Sequence, residues 1–174
     1  MTLGRWRRHT ALLERQCQEV YRSSAASLLR LGDRARKDSV ERCRPLAHSV
    51  KAGVQPQEIG VFVRSQAELR RARAAVEGAK LPVRMLDEQV EGAGVSIGTM
   101  HRAKGLEFRA VVVMACDDEI IPSQQRIEEV GDDADLQEVY DTERHLLYVA
   151  STRARDELLI TGVDPASEFL ADLK

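Results

Sequence analysis

The 174 residues predict an α/β domain of three layers, with helices on both faces of a mostly parallel sheet. Three observations carry this expectation. Short apolar runs alternate with stretches of helical periodicity along most of the chain, as consecutive βαβ units require. One run, Ala110 to Ala115, reads AVVVMA, and such unbroken apolarity suits a strand buried on both faces. The length fits one core, and no internal repeat or low-complexity tract divides it.

The elements follow in order. Residues 1–31 contain no proline and one interior glycine, Gly4, and read as helix. Residues 40–51 suggest a second helix stopped by Gly53. After the turn Gln55-Pro56-Gln57-Glu58, Ile59–Val63 is a short apolar strand. Leu69, Ala72, Val76 and Ala79 recur at helical spacing on one face. Leu81-Pro82 breaks that helix, Val83–Leu86 suggests a short strand, and Val95–Met100 suggests another. The acidic stretch from Asp117 to Asp135 reads as a mobile surface loop. Leu136 to Arg155 forms a long amphipathic helix with Leu136, Val139, Leu147, Ala150 and Ala154 along one face. Glu157–Thr161 is the last strand. One domain is expected: a helical segment over 1–52, an α/β core over 53–163, and a tail over 164–174.

Composition narrows the class. Hydrophobic residues make up 43% and charged residues 31%, which suits a packed core under a solvated surface. Aromatics at 4% leave aliphatic side chains to fill that core. Cys17, Cys43 and Cys116 are an odd set without metal-ligand spacing, so reduced thiols are expected. No apolar stretch approaches the roughly 18 residues of a membrane helix, and no apolar segment follows the basic N-terminus as in a secretory signal. A soluble cytoplasmic protein is the expectation. The net charge of −2 conceals an asymmetry. Residues 1–44 carry eleven Lys/Arg against five Asp/Glu, and residues 117–143 carry eleven Asp/Glu against Arg126 alone. The basic end could meet phosphates; charge alone favours a solvated amphipathic helix.

The chemistry concentrates in two segments. Thr99-Met100-His101-Arg102-Ala103-Lys104-Gly105-Leu106-Glu107-Phe108 lies between two expected strands. Its hydroxyl, imidazole, ammonium and free backbone amides are the groups that cradle phosphates. Glu107 can accept hydrogen bonds from a ribose. Glu143 to Arg155, reading ERHLLYVASTRAR, places two arginines at the end of an amphipathic helix. Guanidinium groups there can reach across a cleft to a transferring phosphoryl group, or simply favour the helix dipole.

Taken together these segments resemble motifs V and VI of UvrD/Rep-type superfamily 1 DNA helicases. The first follows T-x-H-x-x-K-G-L-E-F, and the second, from Glu143 to Arg155, resembles E-x-R-x-L-L-Y-V-A-x-T-R-A-R, with His145 at a variable position. Tyr21-Arg22-Ser23-Ser24 resembles the Y-R-S-T core of motif IV, although Val20 stands where the family usually has asparagine. Ile59-Gly60-Val61-Phe62-Val63-Arg64-Ser65 is similar to the strand that follows. The resemblance covers about Tyr21 to Thr161 and implies a RecA-like fold of the P-loop NTPase type.

It also implies roles. Arg153 would be the finger on the terminal phosphate of ATP, assisted by Arg22. Gly105 and Glu107 would line the nucleotide, with Tyr21 against adenine. Thr99 and His101 would contact single-stranded DNA, with Lys104 as helper, while Arg155 would brace the helix or an interface. No glycine is followed by lysine in this chain, so a G-x-x-x-x-G-K-[ST] phosphate loop is missing. ATP with Mg2+ is therefore expected only when an N-terminal RecA-like domain, in cis or in trans, completes the site. The chain alone is expected to be inactive. Val111 to Glu119 resembles a magnesium-binding strand end, but in the family this position is a structural strand before an acidic loop, and no metal ligands are assigned. UvrD and Rep carry a large accessory helical subdomain where this chain has only Glu88 to Gly94. From a different class, a non-catalytic, DNA-associated adaptor derived from a helicase would also fit.

Overall fold

The computed structural model describes residues 53–88, 92–131, 133–163 and 165–173. The helices expected over 1–31 and 40–51, with Tyr21 and Arg22, lie outside the described residues.

Five parallel strands form one sheet in the order β2-β3-β1-β4-β5. The central strand β1 (Ile59–Val63) is buried at every position, as its uninterrupted apolar sequence requires. Alternation sorts its side chains between two layers. Ile59, Val61 and Val63 join the core beneath α1 (Leu69–Gly78), with Ala72, Ala75 and Val76. Phe62 joins the opposite core with Leu147 and Ala150, and packs edge-on to Phe108 at 5.9 Å between ring centroids. Gly60 makes room for that ring: a Cβ there would stand 2.7 Å from it.

From β1 the chain crosses through α1 to β2 (Val83–Met85) and β3 (Val95–Thr99) on one side. It then passes over β1 to β4 (Phe108–Val113) and finally reaches β5 (Ala154–Ile160). The change of direction puts the topological switch at β1, and open parallel sheets bind ligands outside the carboxyl ends of their strands near such a point. Register places Val63 beside Thr99 and Phe62 beside Val113.

Three sequence expectations need correction. The acidic stretch after Cys116 is anchored. Ile121 and Pro122 are buried, a short helix α2 spans Gln124–Glu128, and α3 (Asp133–Ser151) starts three residues before Leu136. Asp133 and Asp135 occupy its first turn, where carboxylates favour the helix dipole. The same helix ends at Ser151, so neither Arg153 nor Arg155 is helical. Thr152 Oγ1 bonds the Val149 carbonyl, and the Phe108 amide takes the Arg153 carbonyl at 2.9 Å. Ladder pairing thus claims Ala154, which forms the first residue of β5. Strand β4 likewise begins at Phe108 and ends at Val113, earlier at both ends than the apolar run, because Ala115 turns away with φ of 59°.

Beyond β5 the chain folds back. Ala166 pairs antiparallel with Asp117, the Ser167 amide bonds the Cys116 carbonyl at 2.9 Å, and buried Phe169 meets the Tyr140 ring and the Arg144 guanidinium. None of the described helices is long and apolar enough to cross a membrane.

Candidate functional site

Strand β3 ends at Thr99 and β4 begins at Phe108. Because the two strands are parallel, residues 100–107 must travel from the carboxyl edge of the sheet to its amino edge. The segment is pinned in the middle by Met100 and Ala103, both buried against Leu147 and Ala150 of α3. Its polar residues consequently fall into two groups.

At the carboxyl edge stand Thr99, half-buried, and His101, exposed, at the start of a 3-10 turn over Met100–Ala103. The neighbouring strand exit supplies Arg64. Its Nε and Nη2 donate to the two oxygens of Glu143, which is fully buried in the middle of α3. Arg126 of α2 donates to the same carboxylate at 2.9 Å. Burial opposes ionisation of Glu143, but the hydrogen bonds and charges of Arg64 and then Arg126 outweigh it and hold its pKa below the usual carboxylate range. His101 feels this cluster. Partial burial, followed by the Arg64 charge, pushes its pKa down despite the opposing Glu143, with Arg126 adding to the decrease. The surrounding cluster therefore favours the neutral imidazole, which can both donate and accept a hydrogen bond.

At the amino edge stand Lys104, Gly105 and Glu107, all exposed. Gly105 has φ of 79°, and a Cβ there would meet nothing within 4 Å, so its backbone is open to close approach. Arg153 lies next to them. Its Nε donates to the Val149 carbonyl at 3.1 Å, its Nη1 to the Leu106 carbonyl at 3.4 Å, and its Nη2 to Thr152 Oγ1 at 3.1 Å. Arg155 instead points along the strand, clasping Asp156 through Nε and Nη2, with the Glu107 charge near enough to raise its pKa further. Asp156, held by Arg155 and Arg109, has its pKa lowered to about 2.

The expected residues thus divide between two edges of one sheet. Thr99 and His101 occupy the carboxyl edge, while Gly105, Glu107 and Arg153 gather at the amino edge with Lys104 beside them. Asp117, at the end of the strand that resembles a magnesium site, is engaged by Arg71 and accepts the Val163 amide at 2.6 Å. Among the described residues no group of three His, Cys, Asp or Glu could hold a metal. Sequence reasoning missed the triad of Arg64, Glu143 and Arg126. Two signals pointed to it: Glu143 falls four residues from both Val139 and Leu147 on the apolar face, and Arg126 is the lone cation of an acidic stretch.

Comparison with known proteins adds an independent line. Residues 76–164, just over half of the chain, match the family described as the UvrD-like helicase C-terminal domain. A probable DNA helicase II homolog of Rickettsia conorii is 34% identical over 116 residues, covering 65% of this chain and 17% of that protein. The ATP-dependent DNA helicase PcrA of Staphylococcus aureus is 42% identical over 76 residues, 44% of this chain and 10% of the relative. The chain therefore spans less than a fifth of the length of these curated relatives. Among solved structures, the C-terminal domain of a possible DNA helicase from Lactobacillus plantarum superposes with a TM-score of 0.61 at 20% identity, covering 91% of this chain and 88% of that one.

Proposed function

The chain belongs to the UvrD-like helicase C-terminal domain family, and from that premise we propose that it is the second half of an ATP-driven DNA motor. The observation that carries this reading is the path of residues 99–108, which joins a candidate DNA edge to a candidate nucleotide edge through one turn packed on α3.

In this reading a P-loop domain binds ATP with Mg2+ and performs the chemistry, and this chain completes the cleft. Gly105 offers open backbone at the rim, and Glu107 accepts a ribose hydroxyl. Arg153 brings a delocalised cation to the terminal phosphate. Its guanidinium rests on the Val149 and Leu106 carbonyls, so engaging a phosphate means exchanging those bonds for charged ones of greater strength. Tyr21 and Arg22 are assigned to the adenine and phosphate by the same reading. Thr99 and His101 take hydrogen bonds to a single-stranded DNA backbone, with Lys104 assisting.

Turnover tests the assignment. The chain alone, with or without single-stranded DNA, should hydrolyse ATP no faster than its Arg153→Ala variant. Joined to a P-loop motor domain, Arg153→Ala should lower kcat by about 10³–10⁵ while nucleotide affinity changes little. DNA-stimulated hydrolysis by the chain alone that disappears in the variant would end the half-site reading. Wild-type turnover in the joined variant would end the assignment of Arg153.

A further inference from the structure

Arg126 is the one cation among eleven carboxylates in residues 117–143. A surface arginine in such company would ordinarily pair with an exposed neighbour. Arg126 instead turns to Glu143, whose side chain has zero exposure and already holds Arg64 through both oxygens. One buried carboxylate therefore serves two guanidinium groups, and the cluster keeps an excess positive charge. Asp117, the carboxylate at the neighbouring β4 exit, is neutralised by Arg71.

The excess has a direction. The Arg64 side chain is 11% exposed and that of Arg126 is 38% exposed, so the outer arginine presents the charge to solvent. Arg126 uses Nη1 on Glu143, and more than a third of its side chain remains exposed. The cluster sits at the exit of β1, the switch strand, and Val63 lies in register with Thr99. His101 is close enough for Arg64 and Arg126 to depress its basicity. A guanidinium beside the imidazole adds charge to the hydrogen bond that His101 can offer an anion.

We propose that Arg126, seated with Arg64 on the buried Glu143, is a phosphate contact for single-stranded DNA, adjoining His101 at the carboxyl edge of the sheet. Glu143 is its positioning residue: it holds Arg126 through Nη1 while the side chain stays partly exposed. The inference rests on the DNA reading of this edge given above and adds to it a residue outside the recognised motifs.

The test is the salt dependence of binding to a fluorescent oligothymidylate, followed by anisotropy between 50 and 200 mM KCl. Each phosphate neutralised on a single strand contributes about 0.7 to the slope of log affinity against log salt. Arg126→Gln should lower the slope by about 0.7, so its deficit against wild type should shrink about 2.6-fold across that range. Arg126→Lys should keep the wild-type slope. A Gln variant that melts like wild type and retains the full slope makes Arg126 only a tether for α2 and overturns the proposal, leaving the DNA reading intact. A Lys variant that loses the slope also overturns it. Wild-type chain that fails to bind the oligonucleotide at 50 mM salt removes the DNA reading and this contact together.

Discussion

Glu143 stands between Val139 and Leu147 on α3, at a position where helical periodicity alone would put an aliphatic side chain. A buried ion pair adds little over a hydrophobic substitute, yet removing one partner leaves an uncompensated charge and costs about 3–5 kcal/mol. Glu143→Gln should accordingly lose about 3 kcal/mol or more in urea unfolding at pH 7. The pH dependence has a definite sign. The folded-state pKa of Glu143 is depressed, so its contribution is present above the unfolded value of about 4.3 and is lost as pH falls below it. The gap between wild type and variant should close as the pH is lowered below that value and through the depressed folded-state pKa. A gap within error at pH 7 would show that Glu143 is not the anchor of the cluster. At this scale the sequence was only partly legible. The His101 and Arg153 segments stood out because each carries several chemical groups at fixed spacing. Glu143, Arg64 and Arg126 are far apart in the chain, and only folding shows that they share one carboxylate.

Strand β1 could be read from five residues because every position is buried, leaving no competing pattern. The end of α3 could not. Ala154 continues the spacing of Ala150, so periodicity extends the helix, but backbone hydrogen bonding decides otherwise: the Arg153 carbonyl pairs with Phe108 across the sheet. The acidic stretch misleads for a related reason, since charge dominates its composition while Ile121 and Pro122 fix its path. Helix α3 is the element that joins both edges of the site, through Glu143 near the carboxyl edge and Leu147 and Ala150 against Met100 and Ala103. Leu147→Ala should cost about 2–5 kcal/mol by cavity formation. Amide exchange in residues 100–104 should accelerate beyond what global destabilisation explains, because the turn loses part of the surface on which it rests. Equal protection in both proteins would mean that the turn is held by its strands alone.

Across the whole molecule, fold class was the most legible feature, since alternating strands and helices with an unbroken apolar run leave few topologies. The placement of the site follows from that topology: a connection between parallel strands must cross the sheet, and here the crossing carries the polar residues. The connection from β2 to β3 also joins parallel strands, but it lies at the outer end of the sheet. Strand β2 is an outer strand, Asp87 and Glu88 are exposed after it, and Gly92 is open while Gly94 packs against the Pro82 backbone. Additional chain spliced between Glu88 and Gly92 would hang from the rim without shifting any ladder register. Closure entropy sets a small cost: twenty flexible residues there should lower stability by about 1 kcal/mol, measurable as a modest fall in the urea midpoint. The same length placed after Lys104 should abolish cooperative unfolding. The rim thus works as a socket, a place where a lineage or an engineer can attach a sensor, a reporter or a whole new domain while the machinery behind it keeps its shape.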